Sequence, residues 1–304
     1  MKKTGTSLGV SVSRAPRVEV CYIPRMQLLA PGPIRTEHLF PRLEARLVEL
    51  LASLTAEDWQ RQTLAPRWTV KEVAAHLLDT ELRVLSGARD GYFWERPKIN
   101  SDAELVAHIN RLNAEGVSRL RHLSPQLLIA LIAWTSAQLS SYFASLDPNA
   151  AAPFGVSWAG ERESANWFNT AREFTERWHH QQQIREAVGK PGIMVREFYY
   201  PVLDCFMRAL PHAYREVRAK DDALLEFTVA GECGGQWYLW RHGNRWQLVT
   251  QPEGVTVAQV TIPQEIAWRI FTKGIDRAAG IAQIKVEGDT GLGVHVLSAL
   301  AIVG

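Results

Sequence analysis

The stretch TERWHHQQQIREAVG, residues 175–189, sets a carboxylate, a tryptophan and two adjacent histidines close together on one helical segment. At 3.6 residues per turn, Glu176 and His180 lie one turn apart and project from the same side. Gln183 follows three residues on, close to the same line. His179 is rotated by about 100° from His180. The spacing therefore pairs His180 with Glu176 and sends His179 elsewhere. On nearly the opposite side Trp167, Ala171, Phe174 and Trp178 form an apolar stripe. Two arrangements satisfy this pattern: either Glu176 faces solvent, or the helix is central and buried all round. Ile184 and Ala187, near the His180 side, favour the second.

Two donors do not make a catalytic metal site, so a third must come from a facing helix. His76, in VAAHLLDTELR (73–83), is the best candidate. Its segment turns Val70, Val73, Leu77 and Leu78 toward a core, and His76 flanks that stripe. A set of His76, Glu176 and His180 suits Zn²⁺ first and Ni²⁺ or Fe²⁺ less well, and it leaves a coordination position open. Arg83, two turns after His76 on the same side, is placed to bind an acidic group of a cofactor or substrate, with a surface arginine as the equal alternative. Asp79 is a candidate acceptor for His76, although a solvated carboxylate is its more ordinary role. The plainer reading of the pair is a helix-surface contact worth roughly 0.2–0.5 kcal/mol.

Outward from these segments, the first two thirds of the chain read as helices. TEHLFPRLEARLVELLASL (36–54) carries leucines at helical spacing. Capping boxes open helices at Thr69–Glu72 and Ser101–Glu104, and Ser124 with Pro125 opens SPQLLIALIAWTSAQLSSYFASL (124–146). The helix holding Glu176 is expected over about residues 165–188, closed by Gly189 and Pro191, and another over roughly 197–215. After EVRAKDDA (216–223) the pattern becomes that of strands: LLEFTVAGE, GQWYLWRHG, NRWQLVTQ and VTVAQVTIP, with a hairpin turn at RHGNR (241–245). A helix (PQEIAWRIFTKG), a strand (AQIKVEG) and a final helix (TGLGVHVLSALAIV) complete an α+β unit. GDTGLG (288–293) lacks the lysine of a phosphate loop and reads as a turn with a helix cap.

A length of 304 residues favours two domains, and 46% apolar with 22% charged residues is ordinary globular composition. The net charge of +2 gives no reason to expect nucleic acid or an anionic membrane. No apolar run is expected to approach the roughly 18 residues of a membrane-crossing helix. Residues 1–32 are basic and read as a weakly ordered arm with a short strand at VEVCYI, without the pattern of a secretory signal. Cys21, Cys205 and Cys233 are few, odd in number and widely spaced, which suits a reducing cytoplasm. Cys205 reads as core filler and Cys233 as part of a turn.

The segment PRWTVKEVAAHLLDTELR (66–83) resembles the pattern W-T-V-x-x-V-x-x-H-L of the mycothiol-dependent maleylpyruvate isomerase family, within the DinB-like superfamily of four-helix metalloproteins. TERWHHQQQIREAVG resembles that family's second segment, E-x-W-x-H followed by I-R-x-A-x-G, and the two occur in the family's order. The resemblance implies a helical metal-binding domain over 33–218, with His76, Glu176 and His180 holding a divalent ion, usually zinc. It also implies a sterol-carrier-like α+β domain over 219–304. One position departs: isomerase-like members carry an aspartate where this chain has Gln183, which puts that particular activity in question.

The reading is a metal-dependent enzyme that uses a low-molecular-weight thiol to isomerise a small electrophilic substrate or to join the thiol to it. Two rivals stand beside it. One is a non-catalytic metal-binding or regulatory module. The other is an apolar-ligand carrier working through Trp237, Tyr238, Trp240 and Trp246, whose default explanation is sheet packing.

Overall fold

The computed structural model describes residues 30–252 and 254–301. The expected basic arm, save its last three residues, and its strand with Cys21 lie outside them. Four helices form a bundle: α1 (Phe40–Ala52), α2 (Val70–Val84), α4 (Pro125–Ser145) and α5 (Asn166–Ala187). α1 and α2 each touch both α4 and α5, which closes the square, and α3 (Asp102–Leu120) packs on the outside of α2.

The start of α2 follows from its first turn. Glu72 accepts the Thr69 backbone N–H at 2.8 Å, completing the capping box. Past Val84 the chain continues through a wider π-type turn, Leu85–Arg89. At Ser101 only half the expected box forms: Ser101 caps Glu104 N at 3.2 Å, while the Glu104 carboxylate accepts from Asn100 instead. α4 corrects the expectation about apolar runs. By length and composition it could cross a membrane. In the bundle it buries Leu128, Ile132, Leu139 and Phe143 and leaves Leu127 and Trp134 exposed.

α5 is the central helix, which resolves the alternative posed by its two apolar faces. Its run from Phe168 to Ile184 is buried almost throughout, polar residues included. Such a helix survives burial because its polar groups find partners. Gln181 donates to Leu43 O at 3.0 Å, Gln182 accepts from Ile193 N at 3.0 Å, and Thr175 donates to Ala171 O at 2.9 Å.

α6 (Arg196–Met207) packs along α5, and the short α7 (Leu210–Ala213) follows, so the single helix expected over 197–215 is broken in two. A five-stranded mixed sheet then forms in the order β3-β2-β1-β4-β5, from β1 (Ala223–Ala230), β2 (Gly235–His242), β3 (Arg245–Val249), β4 (Val255–Pro263) and β5 (Lys285–Gly288). Only β1 and β4 run parallel. The expected hairpin sits between β2 and β3, where Gly243 adopts φ +54° and joins two antiparallel strands. α8 (Gln264–Phe271), α9 (Arg277–Gln283) and α10 (Thr290–Val294) complete the unit. α9 was not expected, and the final helix is shorter than its apolar sequence suggests. α10 gives way to a 3₁₀ turn at His295–Ser298.

The inner face of the sheet carries Leu225, Phe227, Trp237, Leu239, Val260 and Ile262 into the same hydrophobic cluster as Phe40, Phe174 and Trp178 of the bundle. Trp237 donates its indole N–H to Asp204 at 2.8 Å and Trp246 donates to Val217 O at 2.9 Å. These aromatics therefore pack as core. Cys205 and Cys233 are buried thiols, and burial pushes Cys205 up to about 12, which fits a filler rather than a nucleophile.

Candidate metal centre

α2 and α5 bring His76 and His180 together from 104 residues apart in sequence. Their rings meet edge to face with centroids 4.7 Å apart. Trp68, just before α2, stacks on His76 at 4.6 Å and reaches His180 at 6.3 Å. α8 presents Trp268, whose ring lies 5.9 Å from that of His179. The histidines thus have aromatic neighbours both from the bundle and from the sheet-containing unit.

Within α5, the Nε2 of His180 lies 3.7 Å from a Glu176 oxygen. Its other ring nitrogen, Nδ1, meets Gln183 Oε1 at 3.0 Å. An amide oxygen only accepts, so this contact places the proton on Nδ1 and leaves the Nε2 lone pair facing Glu176. Loss of water lowers His180 to about 4, the Gln183 bond opposing, and it lowers His76 well below its usual range, with the charges of His180 and Arg83 adding to the effect. Both imidazoles are neutral near pH 7, the form that donates to a metal. Glu176 keeps 28% of its side chain in contact with solvent, yet burial of the rest raises its carboxyl to about 7, partly opposed by the charge of Arg172.

His179 does not point elsewhere. One donor atom each from Glu176, His179 and His180 lies within 4.8 Å of the other two. A 100° rotation about a helix axis displaces neighbouring Cα atoms by little. The imidazole is long enough to bring its nitrogen back toward the same space, and the His179 and His180 rings sit 4.7 Å apart. His76 Nδ1 and both nitrogens of His179 are buried without a hydrogen-bond partner among the described residues. Orphaned buried nitrogens beside a carboxylate are what a divalent ion would satisfy, so the donor types present fit a metal.

Two other expectations resolve differently. Asp79 does not approach His76 as an acceptor; it pairs with Arg83 at 2.8 Å, one turn on along α2. Arg83 donates in addition to Asn113 of α3 at 2.7 Å, which fixes its guanidinium between α2 and α3.

A second polar cluster lies beside the pocket and went unread in the sequence. Arg177, 2% exposed, meets Glu173 at 2.8 Å, Glu44 of α1 at 3.2 Å and Glu81 of α2 at 3.9 Å. Thr135 and Ser136 of α4 bond to the same Glu81 carboxyl. The signal was available: Glu44 and Glu81 occupy positions within the apolar stripes of their helices, where a charge needs a buried partner.

Residues 40–185 match the family described as "Mycothiol maleylpyruvate isomerase N-terminal domain". The matched stretch runs from the start of α1 almost to the end of α5. Among solved structures, this chain is similar to the one titled "Crystal structure of the mycothiol-dependent maleylpyruvate isomerase". The two share 13% identity with a TM-score of 0.46 over 77% of this chain and 86% of that one. A histidine-to-alanine mutant of the enzyme so titled gives 13% identity and a TM-score of 0.44 over the same shares. No curated protein matches the chain.

Proposed function

We propose that this chain is a metal-dependent enzyme that employs a low-molecular-weight thiol, of the mycothiol kind, on a small electrophilic substrate. The observation that supports the reading is the edge-to-face contact of His76 with His180, whose Nε2 lies 3.7 Å from Glu176, within the stretch that matches this family. A divalent ion held by these three residues, zinc first, would supply a Lewis acid that lowers the pKa of a thiol toward neutrality.

The chain's own residues do the rest. Gln183 holds His180 in the tautomer whose Nε2 is free to donate. Burial keeps both imidazoles neutral, so protons compete weakly for them. Trp68 packs against the ring of His76, and Trp268 lies near that of His179. Arg172, one turn before Glu176 on the same face and paired with Glu173 at 2.7 Å, supplies positive charge beside the site, while Arg83 is held by Asp79 and Asn113. In the isomerisation we favour, the sulfur lone pair forms an S–C bond to an activated alkene and the π electrons move onto a conjugated carbonyl. Rotation about the new single bond and expulsion of the thiolate return the alkene in the other geometry.

Elemental analysis of the purified protein tests the foundation. Wild type is expected to carry near-stoichiometric zinc or another divalent ion, and His76→Ala and Glu176→Ala are expected to lose it. Metal retained in a variant would remove that residue from the site. A screen of maleyl-type diacids with and without added thiol then tests the activity; metal without thiol-dependent turnover would favour a non-catalytic module.

A further inference from the structure

We propose that His179 is a further ligand of the same ion, so that the centre in this chain draws a donor from each of two consecutive histidines of α5. The inference rests on the metal-centre reading above and deepens it. Three features of the residue carry it. Its donor atom belongs to the group with Glu176 and His180 whose members lie within 4.8 Å of one another. Its side chain is 3% exposed, and neither ring nitrogen has a hydrogen-bond partner among the described residues. Its ring is wedged between His180, 4.7 Å away, and Trp268, 5.9 Å away, which holds the imidazole at the pocket.

The competing account is a histidine that only fills space under Trp268. A packing role accounts for the ring but not for its nitrogens. Neutral imidazole always carries one N–H and one lone pair, and buried groups of this kind are satisfied in all but a few cases. An apolar residue of similar volume would fill the same space without leaving a donor and an acceptor unpaired. His180 shows the contrast: its Nδ1 is engaged by Gln183, and only its Nε2 is left to donate.

The consequence concerns which ion works. Three imidazoles and one carboxylate fill a tetrahedral ion. A thiol can then join only if the ion accepts a fifth donor, as zinc does on occasion and as nickel or iron do readily. The chain's own histidine pair would therefore bear on metal choice as well as on affinity.

X-ray absorption spectroscopy on the zinc-loaded full chain counts the imidazoles around the ion. His179→Ala and the bulkier His179→Gln should each show one imidazole fewer than wild type. They should also bind zinc at least about tenfold more weakly in chelator competition, the scale seen for losing even an outer partner of a ligand. Circular dichroism confirms that the variants compared are folded. An unchanged imidazole count in either folded variant overturns the role of His179 and leaves the metal centre standing. Failure of wild type to bind zinc, nickel or iron overturns both.

Discussion

Gln183, where the resemblance leads one to expect an aspartate, shows in its position what such an exchange would change. The amide oxygen accepts from His180 Nδ1 at 3.0 Å, as a carboxylate would, so the orientation of the ring is kept. What is lost is a negative charge beside the imidazole, which would make it more basic and a stronger donor. Gln183→Leu removes the acceptor while keeping much of the volume. Metal affinity is expected to fall roughly 10–100-fold in that variant, read by chelator competition. An unchanged affinity would mean that packing alone orients His180. Gln183→Asp should move affinity the other way.

At the scale of elements, the polar cluster around Arg177 ties α5 to α1, α2 and α4 at one level of the bundle. Its proton count can be read from geometry. Ser136 has one hydroxyl hydrogen, yet its oxygen lies 3.0 Å from Glu81 and 3.2 Å from Glu44. Thr135 likewise has one hydrogen, shared between Glu81 and the Leu131 carbonyl at 2.8 Å. Both hydroxyls can be satisfied if Glu81 holds a proton. Burial, followed by the charge of Glu44, pushes its carboxyl up to about 8, against 4.5 in an unperturbed carboxyl. The folded chain therefore keeps a proton that the unfolded chain releases above about pH 4.5. Stability from this group is complete below that pH and is lost as pH rises through about 8. The urea midpoint of wild type is expected to fall between roughly pH 5.5 and 8.5. Glu81→Gln, which mimics the protonated acid, should flatten that slope, and an undiminished slope would place the proton elsewhere.

At the scale of the whole molecule, part of the bundle and the inner face of the sheet share a hydrophobic cluster. Trp178 of α5 stacks on Tyr199 of α6 with ring centroids 4.6 Å apart and meets Trp268 of α8 edge to face at 6.2 Å. Tyr199 donates to Gln264 O at 2.7 Å and accepts from Trp268 N at 3.1 Å, so its hydroxyl is shared between α8's first turn and its middle. A seam this apolar and this well bonded should not open independently of its parts. Calorimetry is expected to give one cooperative transition for the full chain. Two resolved transitions would show that the helical and sheet-containing units hold together only loosely.

Much of this was legible in the sequence, for reasons that are local. Helical period, the Thr69 capping box and the change to alternating strands after residue 216 are set by near neighbours, and the i, i+4 spacing of Glu176 and His180 needs only a helix. The same local logic excluded His179, because it follows Cα directions and cannot know how far a ring leans once Trp268 packs against it. It also missed the union of Glu44, Glu81 and Arg177, three residues on three helices that meet only when the bundle closes. Position along one helix is a property of the chain. Which side chains share a pocket, and which polar groups burial leaves without water or partner, is decided where elements from distant segments come into contact.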